Sequence, residues 1–191
     1  RVGKYSGDIV VYITPGYYNE APTIPAGLTG DLYIVSLGVL NDSSSTAGDG
    51  SGTYWDGGAW ISGLVTLAQT SGGNVTFVGL QLQAGVSFTG AYGAFAVNFY
   101  DCWIAGASTN NIFNVGVGGG LPLINLRKCH LEHSGSNVAT TNVFGDVASV
   151  ALSAERCEFT VRAIANLTGT NSSAIVLREC SINATTTSIT L

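Results

Sequence analysis

Four stretches of the chain are variants of one another, and each is centred on a cysteine: VNFYDCWI, INLRKCHL, LSAERCEF and IVLRECSI, with Cys102, Cys129, Cys157 and Cys180. Their spacings of 27, 28 and 23 residues are those of a repeat architecture, in which one unit cannot bury its apolar face alone and must stack on its neighbours. Five residues before the cysteine stand Val97, Ile124, Leu152 and Ile175; three before it stand Phe99, Leu126, Ala154 and Leu177; two after it stand Ile104, Leu131, Phe159 and Ile182. VTFVGLQL, with Val75, Phe77, Leu80 and Leu82, fits the same frame, as does LYIVSLGV, with Leu32, Ile34, Leu37 and Val39, which makes six copies.

Inside each copy the apolar residues alternate at period two, step once by three, and alternate again. Period-two alternation is the signature of a half-buried strand. A step of three keeps the apolar side inward only if the chain bends between two short strands, and the bends fall at Tyr100-Asp101, Arg127-Lys128, Glu155-Arg156 and Arg178-Glu179. A third apolar run precedes each pair, at 10–13, 64–67, 86–88, 111–115, 142–144 and 163–167. Three short strands per repeat make one coil of a parallel β-helix. Rungs about 4.8 Å apart place Arg127, Glu155 and Arg178 in one column and Asp101, Lys128, Arg156 and Glu179 in the next, so that opposite charges meet along most of both. The whole chain, 1–191, reads as a single domain with an inserted Gly/Ser/Asp-rich loop at 41–58, between the first and second coils, and an incomplete last coil at 185–191.

Composition agrees. Only 10% of residues are charged and 46% are hydrophobic, with Gly, Ser, Thr and Asn making up much of the remainder, which suits strands and tight turns and not long helices. The net charge of −5 with seven Lys and Arg leaves no basic run for nucleic acid. No apolar stretch reaches the length of a membrane-spanning helix. Met is absent even at position 1, so the chain reads as a processed form or a piece of something longer. Asn-x-Ser/Thr sequons stand at Asn41, Asn74, Asn166, Asn171 and Asn183, little more than chance would give in such a composition.

The start, VVYITPGYYNEAPTIPAGLTGDLYIVSLG, resembles the opening coil of the pectin-lyase-like superfamily of right-handed β-helices: Gly16, Tyr18 and Glu20 match the G-x-Y-x-E motif near the start of pectin methylesterases, where these residues shape the first coil. The fold this resemblance implies is all-β, a right-handed single-stranded parallel β-helix of six to seven coils. The catalytic motifs of the enzymes do not accompany it. The strings Q-D-T, D-F-I-F-G and G-R-P-W of the esterases are absent, as are N-T-D, G-H-G and R-I-K of the polygalacturonases. In character the chain is similar to the virus and phage members of the superfamily: tailspikes, fibres and capsid decorations.

Candidate sites follow from the strand frame. The four cysteines point inward as small core residues, in one column with Leu80. No C-x-x-C pair exists, and the frame supplies no partners for a metal, so neither metal nor cofactor is expected. On the outward side of the last strand of each copy stand Gln81, Trp103, His130, Glu158 and Ser181, with Gln83, Ala105, Glu132, Thr160 and Asn183 two residues on. An exposed Trp103 with His130 beside it would offer a sugar-stacking surface. Glu132 and Glu158, on adjacent coils at roughly 8 Å between Cα atoms, are the pair that an acid/base glycosidase would use. The loop adds Tyr54, Trp55, Asp56 and Trp60, which contact a partner or glycan or else fold over the open first coil.

The functional expectation is a non-enzymatic structural protein of a virion or extracellular surface, a decoration, spike or fibre subunit. It assembles as a homo-oligomer, a trimer among the options, or with neighbouring virion proteins, and it touches a cell-surface glycan. The alternative is a carbohydrate-active enzyme, a polysaccharide hydrolase, a lyase or a pectin-esterase-like protein, using Glu132 and Glu158.

Overall fold

The period-two alternation is realised as strands throughout. The computed structural model describes residues 7–38, 58–68, 72–89, 95–106, 111–115, 123–133, 142–144, 146–147, 151–167, 174–184 and 189–190, and among them it contains 21 short strands and no helix. The first sheet is built from β1 (Ile9–Ile13), β4 (Leu32–Ser36), β7 (Val75–Val78), β10 (Ala96–Tyr100), β13 (Leu123–Arg127), β16 (Ala151–Glu155) and β19 (Ala174–Arg178), in that order. The second takes β2 (Gly16–Tyr18), β5 (Ala59–Ile61), β8 (Leu80–Leu82), β11 (Trp103–Gly106), β14 (His130–His133), β17 (Glu158–Val161) and β20 (Ser181–Ala184). A third joins β3 (Thr23–Ile24), β6 (Val65–Leu67), β9 (Val86–Phe88) and β12 (Phe113–Val115), and a fourth joins β15 (Asp146–Val147), β18 (Ala165–Leu167) and β21 (Ile189–Thr190). Every pairing is parallel. Every third strand returns to the same sheet, an all-β arrangement consistent with a parallel β-helix.

The register carries the repeat. Ile9, Leu32, Val75, Val97, Ile124, Leu152 and Ile175 lie opposite one another across the first sheet, and two residues on Val11, Ile34, Phe77, Phe99, Leu126, Ala154 and Leu177 do the same. These columns face one continuous core. Phe77 stacks on Phe99 at 5.0 Å with the rings nearly parallel, and Phe99, Phe113 and Phe144 continue the aromatic line across to the third sheet. Rings offset in this way add about 0.5–1.5 kcal/mol per pair beyond their burial.

The corner between the first and second sheets has one conformation from β7 onward. Asp101, Lys128, Arg156 and Glu179, each immediately before a cysteine, have φ of 52°, 52°, 55° and 52°, and Gly79 at the same place has 66°. One left-handed residue turns the chain between two strands without breaking the inward alternation, which is why the apolar pattern steps by three. A residue with a Cβ loses roughly 1–2 kcal/mol there. The corner holds because it is bonded to the next rung: the N–H groups of Gly79, Asp101, Lys128 and Arg156 donate to the carbonyls of Tyr100, Arg127, Glu155 and Arg178 at 2.9–3.0 Å. The turn leading into the first sheet is held by a second ladder that the sequence pattern did not announce. Asp8 Oδ1 accepts from Asp31 N, Asp31 Oδ1 from Asn74 N, and Asn74 Oδ1 from Ala96 N, at 2.8–3.1 Å. The amide of Asn74, one of the sequons, is thereby engaged.

Three expectations are corrected. The apolar pattern predicts a third run at 10–13; instead β1 lies in the first sheet, paired from Ile9↔Leu32 to Ile13↔Ser36. Leu37 and Val39 were placed in the core. Leu37 is exposed, and Val39 lies outside the described residues. The chain leaves the sheet at Ser36, whose Oγ accepts from the N–H groups of Gly38 and Ala59, and the core positions pass to Ala59 and Ile61. The long insertion thus falls within a repeat, at its corner, rather than between repeats. Loop 41–58 lies outside the described residues except for Gly58, and of 185–191 only β21 is described. Finally, Arg127, Glu155 and Arg178 are in register as expected, yet the close ion pair forms in the neighbouring column, Arg156 Nε to Glu179 at 2.7 Å, with Glu155 at 3.9 Å from Arg156. Arg156 reaches along the corner to both acids, leaving Arg127 and Arg178 without an ion pair among the described residues.

The left-handed corner predicts opposite effects for opposite substitutions. Gly79→Ala should lower the unfolding free energy by about 1 kcal/mol, while Lys128→Gly, at an exposed side chain, should raise it by about 0.5–1 kcal/mol as strain relief exceeds the entropy cost of glycine. Urea denaturation of the two variants checks both signs.

Candidate functional site on the outward row of the second sheet

The second sheet carries one outward row that runs its full length: Tyr17, Trp60, Gln81, Trp103, His130, Glu158 and Ser181, each opposite the next. Trp60, grouped by sequence with the loop aromatics, belongs to this row. The signal was present: Ala59-Trp60-Ile61 has the same in-out-in alternation as Leu80-Gln81-Leu82, and it was masked by the adjacent Gly-rich segment. Trp60 meets Tyr17 edge to face, with ring centroids 5.1 Å apart. Tyr54 and Trp55 lie outside the described residues.

Trp103 is where the row departs from expectation. It has the outward register, opposite Gln81 and His130, yet it is only 3% exposed, and Gln81 and Ala105 beside it are buried too. At β8 and β11 the sheet is therefore covered on both faces. A sugar stacks on an open ring face, which Trp103 does not present; its place in the fold is packing.

The chemistry of the row converges on His130. Its Nε2 lies 2.9 Å from Glu132 Oε2, and its Nδ1 lies 3.2 Å from Glu158 Oε2 on the neighbouring strand. A neutral imidazole can donate from only one nitrogen, whereas the imidazolium donates from both. Two carboxylates facing the two nitrogens therefore favour the cation. Burial pushes the ring's pKa down, but the hydrogen bond and charge of Glu132, followed by those of Glu158, outweigh it and hold the pKa above the ordinary histidine value. The side chains of His130 and Glu132 are mostly buried, at 17% and 13% exposed, while Glu158 is 57% exposed. The strong half of the bridge is accordingly the one within β14, and the half that crosses to β17 is more screened.

The two carboxylates expected to form an acid/base pair are thus brought together, with the imidazole between them. In glycoside hydrolysis the sugar must sit between the two carboxyl groups, one holding a proton for the leaving oxygen. Here that space is taken by the ring, and both carboxylates act as acceptors toward one cation. Both ring nitrogens are likewise engaged, and among the described residues no three His, Cys, Asp or Glu side chains form a group suited to a metal ion.

The cysteine ladder sits on the other side of the same strands. Cys102, Cys129 and Cys157 are buried, Cys180 is half-buried, and all four are free thiols in the inward column of Ala59 and Leu80. Their sulfurs contact the carbonyls just ahead of the left-handed corner: Cys102 to Tyr100, Cys129 to Arg127, Cys157 to Glu155 and Cys180 to Arg178, at 3.3–3.5 Å. Cys102, Cys129 and Cys180 also reach the preceding rung at Phe77, Phe99 and Ala154, at 3.3–3.6 Å. Burial pushes the thiols of Cys129 and Cys180 up, and the contact with Cys129 followed by burial does the same for Cys157. A thiol with a raised pKa is a poor nucleophile and a poor metal ligand; the cysteines of the ladder are small residues with a weak donor that suits the corner.

The chain matches no family model, no curated protein and no solved structure. The site is therefore read from its own geometry.

Because the His130 pKa is raised in the fold, its stabilisation is complete below the unfolded value of about 6.5 and is lost as pH rises through the folded value. His130→Gln should cost about 1–2 kcal/mol at pH 6, and the gap to the wild type should narrow by pH 9. Urea unfolding of both proteins at the two pH values measures it, and any other histidine cancels in the difference.

Proposed function

We propose that the chain is a non-enzymatic structural protein of a virion or extracellular surface, built as a right-handed parallel β-helix of six to seven coils in the manner of the phage members of the pectin-lyase-like superfamily. One observation carries the reading. In the cluster Glu132–His130–Glu158 both carboxylates face one imidazole, which clips neighbouring strands together. Three of the four free thiols are buried in the core and Cys180 is half-buried, and the resemblance to pectin methylesterases at Gly16, Tyr18 and Glu20 falls on residues that shape the first repeat. Tyr18 donates its hydroxyl to the Thr14 carbonyl at 2.9 Å, and the Glu20 carbonyl accepts from Gly63 N at 3.0 Å. In this reading residues at the surface meet other proteins of the particle or a host glycan, and no reaction is carried out.

The second reading, a carbohydrate-active enzyme, is favoured only by the convergence of Glu132 and Glu158 on one side chain. A panel of acidic and neutral polysaccharides separates the two. The structural reading expects no new reducing ends or unsaturated products from the wild-type protein. It also expects the Glu132→Gln/Glu158→Gln variant to lose about 1–2 kcal/mol of stability, as charge-assisted bonds to His130 are removed. Cleavage by the wild type that the double variant abolishes while remaining folded would establish the enzyme.

A further inference from the structure

The two large sheets treat their outward faces differently. The second is covered at β8 and β11, as the burial of Gln81, Trp103 and Ala105 records. The first is open. Eight large apolar side chains stand exposed among the described residues, and four of them, Val10, Tyr12, Leu123 and Val176, lie on the outward side of this one sheet. Between them runs an uncharged ladder in which Asn98 Nδ2 donates to Thr76 Oγ1 at 3.1 Å and Asn125 Nδ2 to Asn98 Oδ1 at 2.8 Å. Charge appears only along the border next to the corner, as Arg127, Glu155 and Arg178 on successive strands. Arg127 and Arg178 make no ion pair among the described residues, and the contact of Glu155 with Arg156 is a loose 3.9 Å. An apolar, tyrosine-bearing face with charges kept to its rim has the composition of a protein interface rather than of a solvated surface.

We propose that this face binds a second copy of the chain, sheet against sheet, about a two-fold axis that runs parallel to the strands between β13 and β16. The argument is charge complementarity. Such an axis reverses the order of the strands and keeps their direction, as aligned sheet packing requires; it overlaps β10, β13, β16 and β19 of the two copies, so that Leu123 and Val176 fall inside the contact and Val10 and Tyr12 on β1 outside it. It sets Arg127 opposite the partner's Glu155, and Glu155 opposite the partner's Arg127, so each pair forms twice. It sets Arg178 opposite the partner's Tyr100, where a guanidinium can lie on the ring, and Leu123 opposite the partner's Ala151. The amide of Asn125 meets the partner's Ser153, and both groups can donate and accept. Every rim charge finds its opposite or an aromatic face. An anionic polymer, the other occupant that two free arginines would suit, would meet Glu155 between them.

The inference rests on the surface-protein reading and is tested separately from it, by sedimentation velocity on the full chain at micromolar concentrations. Wild type should sediment as a dimer. Arg127→Glu and Glu155→Arg should each raise the dissociation constant about tenfold or more, since each places like charges opposite one another twice. The combined variant, which restores opposite charges with their signs exchanged, should recover the dimer. Both substituted positions are at the surface, and circular dichroism verifies that each of the three variants is folded. A monomeric wild type overturns the inference, as does an oligomer that ignores the single substitutions or a combined variant that stays dissociated. None of these outcomes alters the polysaccharide panel, which tests the non-enzymatic reading.

Discussion

The structure depends on the hydrogen bond that leaves the left-handed corner. At Asp101, Lys128 and Arg156 the backbone takes a conformation that side chains with a Cβ disfavour, and it is held there because the N–H points along the stack and finds a carbonyl on the next rung. Parallel pairing of the first sheet brings that carbonyl within reach; the corner in turn starts the second sheet in the right register. Neither sheet is separable from the other. Strain of roughly 1–2 kcal/mol per corner is offset rung by rung through burial of the inward columns and bonds that a loose turn would leave to water. The cysteine that follows each of these corners fits the same logic, being small, apolar and able to offer its S–H to the carbonyl just before the turn.

That corner also decides what the candidate site can be. It fixes the phase of β8, β11, β14, β17 and β20, so that cysteines and leucines point in while Trp103, His130 and Glu158 form one outward row. Phase alone does not set exposure. Trp103 is outward and buried; His130 is outward and enclosed by two carboxylates. The row therefore works as an internal clip across β14 and β17, while the first sheet carries the amide ladder and the exposed Leu123 and Val176.

Much of this was legible in the sequence, for a physical reason. A strand alternates strictly, so a column of Val97, Ile124, Leu152 and Ile175 at constant offset from a cysteine determines which residues share a rung. The inward frame, the cysteine ladder and the placement of Glu132 and Glu158 on the same face of neighbouring strands all follow from that periodicity. What it could not carry is what lies over the outward face. Alternation gives Trp103 an outward position and is silent about whether other parts of the chain cover it, and it gives Glu132 and Glu158 a spacing without the imidazole between them. Insertions defeat it as well. LYIVSLGV continued the pattern through Leu37 and Val39, although the chain turns away at Ser36 and resumes at Ala59. The ladder of Asp8, Asp31 and Asn74 holds one frame position, immediately before Ile9, Leu32 and Val75, but alternation of apolar residues does not say that a side chain there bonds the next rung.

The most direct test of the stacked corner is residue-resolved amide hydrogen exchange of the native protein. At an ordinary surface bend, exposed Asp101, Lys128 and Arg156 would exchange within the time of local fluctuations. If each N–H is bonded to the next rung, all three should instead be protected to the level of the flanking strands and open only with them. Rapid exchange at these three amides, beside protected neighbours in β10, β13 and β16, would contradict the account.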